Sequence, residues 1–273
     1  MLLAFTEQGS GPVVVLLHGF PLNRAMWAEQ IQTLSASYRV IAPDLRGHGD
    51  SPAPDAVYTM DAMADDVVEL LDGLGVVEPV VLGGLSMGGY VALAMALKHP
   101  SRLRALMLID TRAVADSPEA AKGREESAQA VLKAGSPRSV VEAMIPKLFG
   151  KSTLDQHPDR IETMRVEMEK TSASGVAGAL RGMAIRPDRR GEIAQITVPT
   201  LVVVGEEDVI APPDEARAIA EALPDGRLEV VPGVAISPRT KAPGRSTRSC
   251  CGSSTSHTPV DRCGSTGGGR RPW

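Results

Sequence analysis

The sequence predicts an α/β protein with a mostly parallel sheet flanked by helices. Short continuous runs of β-branched and leucine residues, such as Val13 to Leu17 and Leu103 to Ile109, are typical of parallel strands buried on both faces. Amphipathic stretches with helical spacing, such as Met60 to Leu74, alternate with these runs. Turn-rich loops separate the two kinds of segment, which favours right-handed βαβ units and therefore a parallel sheet.

Each predicted element follows from its local pattern, and Thr59 is a suitable N-cap for the helix that follows it. Strands are predicted at Leu2 to Glu7 (as an edge strand), Val13 to Leu17, Arg39 to Pro43, Pro79 to Gly83, Leu103 to Ile109, Thr200 to Gly205 and Leu228 to Val231. Helices are predicted at Ala25 to Leu34, Met60 to Leu74, Tyr90 to Leu97 and Asp214 to Leu223.

Composition and charge exclude several classes of protein. The chain of 273 residues is 43% hydrophobic and 23% charged, and no apolar run approaches the ~20 residues of a membrane span. The first residues are too few and lack the basic side chains of a secretory signal, so we expect a cytoplasmic protein. Seven of 29 basic and one of 33 acidic residues lie after Gly233, which leaves residues 1–233 with a net charge of −10 and no basic stripe for nucleic acid.

The pentapeptide Gly84-Leu85-Ser86-Met87-Gly88 has the context of a nucleophile elbow, a strand before it and a helix after it. Glycines on both sides allow the tight, strained turn that exposes a serine hydroxyl. The N-terminus of the following helix favours negative charge at this point. Attack on a carbonyl needs such a hydroxyl together with donors for the oxyanion.

Three unusual loops follow strands, after Leu17, after Pro43 and after Gly83. Because ligands of parallel sheets bind beyond the carboxyl ends of the strands, these loops are expected at one functional edge. All three cysteines lie in the tail, so residues 1–233 have no disulfide framework and no Cys-based metal site, and we assign no metal and no cofactor.

The character of the chain changes between Thr111 and about Arg190, where the strand pattern disappears. We interpret residues 111–190 as a helical cap of three or four helices inserted into a core formed by residues 1–110 and 191–233. Such a cap would shape a pocket and exclude water. Four methionines are candidates for its lining or, more simply, for packing: Met144, Met164, Met168 and Met183.

Four motifs together resemble the α/β-hydrolase superfamily, in particular the capped esterase and lactonase branch that includes 3-oxoadipate enol-lactonases. They are the segments His18 to Leu22, Asp44 to Ser51, Gly84 to Gly89 and Gly205 to Asp208. The resemblance covers residues 1 to about 233, although only the second half of the family's first hairpin is recognisable. It implies an α/β-hydrolase fold and a small ester or lactone as substrate.

The resemblance also implies roles for individual residues. Ser86 would be the nucleophile, and the backbone N–H groups of Phe20 and Met87 would form the oxyanion hole. Asp208 would orient the catalytic histidine, with Asp110 as the alternative acid. In this family the residues corresponding to His18 and His48 are structural.

The histidine that the family places in a Gly-His pair after the last strand is missing. Pro232-Gly233 is followed by Val234-Ala235-Ile236-Ser237, and the next histidine is His257. Residues 234–273 contain no leucine, methionine, phenylalanine or glutamate, so they cannot supply the family's covering helix, and we expect a disordered tail.

A shift of reading frame near Gly233 would explain both departures. If Val234 to Ser237 are encoded by GTG-GCC-ATC-TCN, with G or C at each third base, reading from the last base of the Val234 codon gives Gly-His-Leu. The shifted frame then permits Ala-x-x-Glu-x-Pro, which is the family's usual continuation. The simpler alternative is a natural divergent tail, and His257 is then the only histidine left in the tail that could replace the base.

Several functions are consistent with these patterns. A serine nucleophile favours ester or lactone hydrolysis and argues against the dehalogenase and epoxide-hydrolase branches, while a cofactor-free perhydrolase shares the serine. A chain without the histidine would be a catalytically impaired hydrolase-fold protein. A partner-binding role through the basic tail is the third hypothesis. A dicarboxylate lactone would require an arginine in the pocket, for which Arg112 and Arg186 are candidates.

Overall fold

The computed structural model describes residues 1–149 and 151–233, without the side chains of residues 151–153. The segment 234–273, with His257 and the predicted disorder, lies outside the described residues. All described residues belong to one compact unit. None of the helices in this part of the chain is long and apolar enough to cross a membrane.

A seven-stranded sheet forms the centre of the fold, in the order β1-β3-β2-β4-β5-β6-β7. The strands are β1 (Phe5–Gln8), β2 (Val13–Leu17), β3 (Arg39–Pro43), β4 (Val80–Leu85), β5 (Leu103–Ile109), β6 (Thr200–Gly205) and β7 (Gly226–Val231). Only β1 is antiparallel to its neighbour, which confirms the predicted mostly parallel sheet with a single edge strand at its start. The edge strand begins three residues later than predicted, since its pairing with β3 runs from Phe5 to Gln8.

Nine α-helices occur among the described residues. They are α1 (Ala28–Leu34), α2 (Met60–Gly73), α3 (Met87–Lys98), α4 (Pro118–Ala134), α5 (Arg138–Leu148), α6 (Lys151–Gln156), α7 (Pro158–Glu169), α8 (Ala173–Ala184) and α9 (Pro213–Ala222). Thr59 caps α2 as predicted, because its hydroxyl accepts the N–H of Ala62 at 3.2 Å. The first predicted helix is divided into a 3-10 turn, Arg24–Trp27, and α1.

The segment between β5 and β6 contains five helices, α4 to α8, where the sequence predicts three or four. One break that the sequence prediction missed is Ser172, whose hydroxyl accepts the N–H of Gly175 at 3.0 Å and starts α8 as a new helix. A serine N-cap of this kind has no proline or glycine to mark it. Helices α4 and α8 pack closely against each other.

The two faces of the sheet are covered unequally. One face buries residues such as Leu82, Leu106 and Val202 in the same core cluster as residues of α2, α3 and α9. On the opposite face α1 packs against β3. Further along that face, Met107 is only partly buried and Leu201 is 37% exposed. A parallel sheet normally has both faces covered, so the described residues leave this part of the sheet incomplete.

Helix α8 approaches the loop before α2 through three glycines, Gly175, Gly178 and Gly182. The backbone N–H of Tyr58 donates to the carbonyl of Gly178 at 3.0 Å. A Cβ at Gly182 would overlap the carbonyl oxygen of Tyr58, a backbone atom that cannot move aside easily. This packing therefore requires a residue without a side chain at position 182.

We predict that Gly182→Ala lowers the free energy of unfolding by about 1–3 kcal/mol, as overpacking against a fixed group does. Gly123→Ala on α4 is the matched control, because a Cβ there meets nothing within 4 Å. Alanine is the better helix former, so the control should be neutral or stabilising. Urea denaturation of both variants measures the difference, and equal stability would contradict the close approach of α8.

Candidate active site

Ser86 lies at the turn between β4 and α3, in the backbone geometry that the pentapeptide predicts. Its φ and ψ angles are 51° and −111°, a conformation that non-glycine residues seldom adopt. The N–H of Ser86 donates to the carbonyl of Ile109 at 2.9 Å, which ties the turn to the neighbouring strand. The strained serine is therefore fixed at the carboxyl edge of the sheet, half-buried.

The two outer glycines of the pentapeptide are required by close backbone contacts. A Cβ at Gly84 would overlap the carbonyl oxygen of Gly88, and a Cβ at Gly88 would overlap that of Leu17. Strand β4, helix α3 and the end of β2 thus meet around Ser86 with no room for side chains. The spacing of the motif is a steric requirement of the turn.

The loop after β2 brings Phe20 to the same edge. A Cβ built on Gly19 would lie 3.5 Å from the Cβ of Ser86, so this loop touches the serine turn. Within the described part of the chain, neither the N–H of Phe20 nor that of Met87 has a hydrogen-bond acceptor. Met87 is the first residue of α3, where backbone donors are free in any helix. Their oxyanion role stays a prediction that these unpaired donors favour.

Asp208 lies in the loop after β6 and is only 4% exposed. Its Oδ1 accepts the backbone N–H groups of Ile210 at 2.7 Å and Ala211 at 2.9 Å. Its Oδ2 is buried and has no hydrogen-bond partner among the described residues. Burial raises the pKa of this carboxyl, although the two backbone donors act in the opposite direction. A side-chain hydrogen bond with Asp110 also holds this carboxylate, and its Oδ2 accepts from no nitrogen donor among the described residues.

Asp110, the alternative acid, directly follows β5 with a φ of 45° and lies next to Asp208. Its Oδ1 accepts the N–H of Gly205 at 2.9 Å. Burial, together with the negative charge of Asp208 and a side-chain hydrogen bond to it, raises the pKa of Asp110 to about 7. Two neighbouring buried carboxyls do not both ionise readily, so Asp110 is the one that holds a proton near neutrality.

Protonation of Asp110 predicts a pH-dependent stability. The carboxyl has an ordinary pKa of 3.8 and a folded-state pKa of about 7, so its stabilising contribution is complete below pH 4 and is lost as the pH rises through 7. Asparagine cannot ionise, accepts the Gly205 bond and tolerates the positive φ. Asp110→Asn should therefore stabilise the protein relative to the parent at pH 8, by on the order of 2–4 kcal/mol, and change it little at pH 4.

Thermal and urea unfolding at the two pH values measure this difference. The exposed Asp55→Asn is the control and should show no comparable change. Equal stability of parent and Asp110→Asn at pH 8 would show that burial does not raise the pKa of Asp110.

The two histidines in the loops after β2 and β3, His18 and His48, are both fully buried, which fits the structural role that the resemblance implies. His18 is fully buried, with Nδ1 3.0 Å from the carbonyl of Gly19 and Nε2 accepting the N–H of Leu45 at 2.8 Å. Burial lowers the pKa of His18 to about 4 and that of His48 to about 3. Both rings stay neutral, and neither lines the cavity above Ser86.

A cavity of about 500 Å³ lies above Ser86, between the sheet edge and the helical insertion. Met144 and Met183 line it, as the sequence allows, whereas Met164 and Met168 are buried in the core cluster around α7. No histidine is part of this lining in the described residues, and no group of three or more potential metal ligands occurs in that part of the chain.

The arginines proposed for the pocket have other partners. Arg112 forms a bidentate ion pair with Glu215 at 2.5 and 2.6 Å. Arg186 is buried, bonds Asp116 at 2.6 Å and stacks over the ring of Tyr90, with its guanidinium carbon 4.4 Å from the ring centroid. Neither of these two candidates lines the cavity above Ser86.

The cations that do line the cavity are Arg124 on α4 and Lys147 on α5, which sequence reasoning missed. One sequence pattern could have identified Arg124. Arg124 lies among small residues at helical spacing, Ala120, Ser127 and Ala130, and such a face leaves room for a ligand where a core face would carry large apolar residues.

The end of β7 lies beside the loop that holds Asp208. The N–H of Glu206 donates to the carbonyl of Val231 at 3.0 Å, and the N–H of Gly233 donates to Oε2 of Glu206 at 3.0 Å. Gly233 therefore lies beside Glu206, which precedes Asp208 by two residues in the same loop.

Comparisons with known proteins point to one family. A model described as the alpha/beta hydrolase fold matches residues 12–235. An esterase from Thermogutta terrifontis, solved with malate bound, is 47% identical with a TM-score of 0.83, and the match covers 85% of each chain. The enol-lactonase from Burkholderia xenovorans is 30% identical with a TM-score of 0.78, covering 85% of this chain and 88% of that one. A 3-oxoadipate enol-lactonase from Acinetobacter baylyi is 27% identical over 84% of both chains.

Proposed function

Because the chain belongs to the α/β-hydrolase family, we propose that its fold catalyses hydrolysis of small carboxylic esters or lactones through an acyl-enzyme on Ser86. The observation that carries the proposal is the strained serine at φ 51°, directly below a cavity and beside two unpaired backbone donors. A strained turn with free donors at a cavity floor is what an acyl-transfer nucleophile needs.

The reaction follows from these positions. The Oγ of Ser86 attacks the carbonyl carbon and passes its proton to a histidine, while the N–H groups of Phe20 and Met87 stabilise the oxyanion. The C–O bond to the alcohol then breaks, and the alcohol takes the proton from the histidine. Water, deprotonated by the same histidine, attacks the acyl group on Ser86 and releases the acid and the free serine.

We propose that the histidine belongs to the shifted frame after Gly233. The unused, buried Oδ2 of Asp208 supports this, because it is an acceptor suited to an imidazole N–H. The position of Gly233 beside Glu206 supports it too, since a Gly-His pair there would begin next to the Asp208 loop. The coding DNA tests the idea directly, because any third base other than C in the Ala235 codon excludes histidine in that frame.

A second candidate is a catalytically impaired protein that binds ligands without turnover. It describes the chain as given, since none of the described histidines lines the cavity and His257 lies outside the described residues. Loss of one triad member removes most of the catalytic rate.

The experiment that tests the proposed function is a screen of small esters and lactones with frame-restored protein. Turnover that depends on Ser86 supports hydrolysis. The malate bound to the related esterase makes small hydroxy acids and their esters the first set to test.

A further inference from the structure

The charged lining of the cavity is entirely cationic. Among the described lining residues, Arg124 and Lys147 carry charge, and no aspartate or glutamate is present. The remainder is apolar or carries hydroxyl groups, with Leu180, Met144 and Met183 contributed by the cap helices. A few charged groups in an otherwise apolar lining are the usual device for orienting a small ligand.

Arg124 retains binding capacity although it has an acidic partner. Its Nε and Nη2 contact Asp116, but Nη1 lies 3.6 Å from the sulfur of Met183, which is a weak acceptor. Asp116 also bonds Arg186 at 2.6 Å, so one carboxylate serves two guanidinium groups. The three side chains together have a surplus positive charge, and Nη1 is the arm of Arg124 beside the lining residue Met183.

Lys147 is exposed and has no acidic partner within 4.0 Å among the described residues. By contrast, Lys98, Lys122 and Lys170 each form an ion pair with a nearby carboxylate. Lys147 lies on the α5 face that also places Met144 at the cavity. An unpaired cation at this edge adds a second surplus charge.

This positive region is unusual, because residues 1–233 carry a net charge of −10. A cationic cavity in an acidic protein concentrates anions and repels cations.

We propose that the substrate carries a carboxylate remote from its scissile ester or lactone bond, and that Arg124 and Lys147 bind this carboxylate. The inference rests on the proposed function and specifies its substrate class: a short aliphatic chain, acyl carbon at Ser86, carboxylate at the cationic end. A guanidinium fork suits a carboxylate, and the apolar side chains of the lining suit the methylene groups.

Binding by the chain as given tests the inference without catalysis. Calorimetry compares glutarate with its dimethyl ester, which has the same carbon chain and no charge. We expect glutarate to bind at least about tenfold more tightly than the diester, and Arg124→Gln or Lys147→Gln to weaken glutarate about fivefold each. Lys133→Gln, on an exposed position of α4 outside the cavity, is the matched control and should bind like the parent.

Catalysis by the frame-restored chain then separates the two proposals. The ratio of kcat/KM for mono-p-nitrophenyl glutarate to that for p-nitrophenyl pentanoate should exceed one and fall about fivefold in Lys147→Gln, whose exposed side chain is not needed for folding. Ser86-dependent hydrolysis of both esters without such a preference would overturn the carboxylate site and leave the proposed function intact. If glutarate binding needs both cations but neither ester is hydrolysed in a Ser86-dependent way, the carboxylate site stands and the proposed function is overturned. Equal affinity for glutarate and its diester overturns the inference outright.

Discussion

Ser86→Ala in the frame-restored protein should lower kcat for p-nitrophenyl acetate by about 10³-fold or more, because it removes the atom that forms the acyl-enzyme in the proposed mechanism. The residual rate would come from the oxyanion donors and from binding alone. Alanine is smaller than serine and adopts the same backbone geometry no less readily, so the turn at φ 51° should survive. Circular dichroism and urea unfolding establish that the variant is folded.

Ser127→Ala is the matched control for this experiment. Ser127 also lines the cavity, but its hydroxyl donates to the carbonyl of Gly123 at 2.8 Å within α4. Its loss should change kcat/KM by no more than a few-fold. A folded Ser86→Ala variant with parental activity would remove Ser86 from the mechanism.

Restoring the frame after Gly233 has the second large expected effect. The restored chain should hydrolyse p-nitrophenyl acetate at least about 10³-fold faster than the chain as given, because a serine without its base is a poor nucleophile near neutral pH. The unused Oδ2 of Asp208 is the predicted partner of the new imidazole. Replacing that histidine alone by alanine should return the rate to that of the given chain.

The same restoration should raise stability independently of activity. The shifted frame permits the start of the family's continuation, and a covering helix after it would shield Met107 and Leu201 on the incomplete face of the sheet. Burial of apolar area at about 25 cal/mol per Å² makes an increase in melting temperature the expected outcome. Restored and given chains of equal activity and equal stability would contradict the frame proposal and support a natural divergent tail.

Much of the fold was predictable because local patterns determine it. Four strands have the predicted bounds, since short apolar runs begin and end sharply at turn residues: Val13–Leu17, Arg39–Pro43, Leu103–Ile109 and Thr200–Gly205. The serine turn was predictable for a related reason. Its glycines are required by contacts within the motif or with the adjacent strand, so the five letters contain most of the geometry.

The pocket was less predictable, because long-range partners decide which side chains reach it. Arg112 is 103 positions from Glu215 in the chain, and nothing local to Arg112 indicates that ion pair. Arg186 likewise forms an ion pair with Asp116 and stacks over the ring of Tyr90. Lys147 reaches the cavity only because the insertion folds over the sheet edge, and the number of helices in that insertion was itself underestimated.

The adjacency of Asp110 and Asp208 was partly predictable from the sequence. Both follow parallel strands, β5 and β6, that pair from Leu106 with Thr200 to Ile109 with Val203. The alternatives that the family resemblance offered for the acid are therefore neighbours in the fold. Asp208 is the stronger candidate for the orienting carboxylate because it has the unused acceptor, while Asp110 holds the proton.

The central claim is that Ser86 is a nucleophile and that the histidine needed to activate it is missing from the given chain. Covalent labelling with a fluorophosphonate tests this claim most directly. Attack by the serine oxygen displaces fluoride, and peptide mass spectrometry identifies the labelled residue. We predict one adduct, on Ser86, formed at least about 10²-fold faster in the frame-restored chain than in the chain as given. A label on another residue, or equal labelling rates in the two chains, would contradict this account.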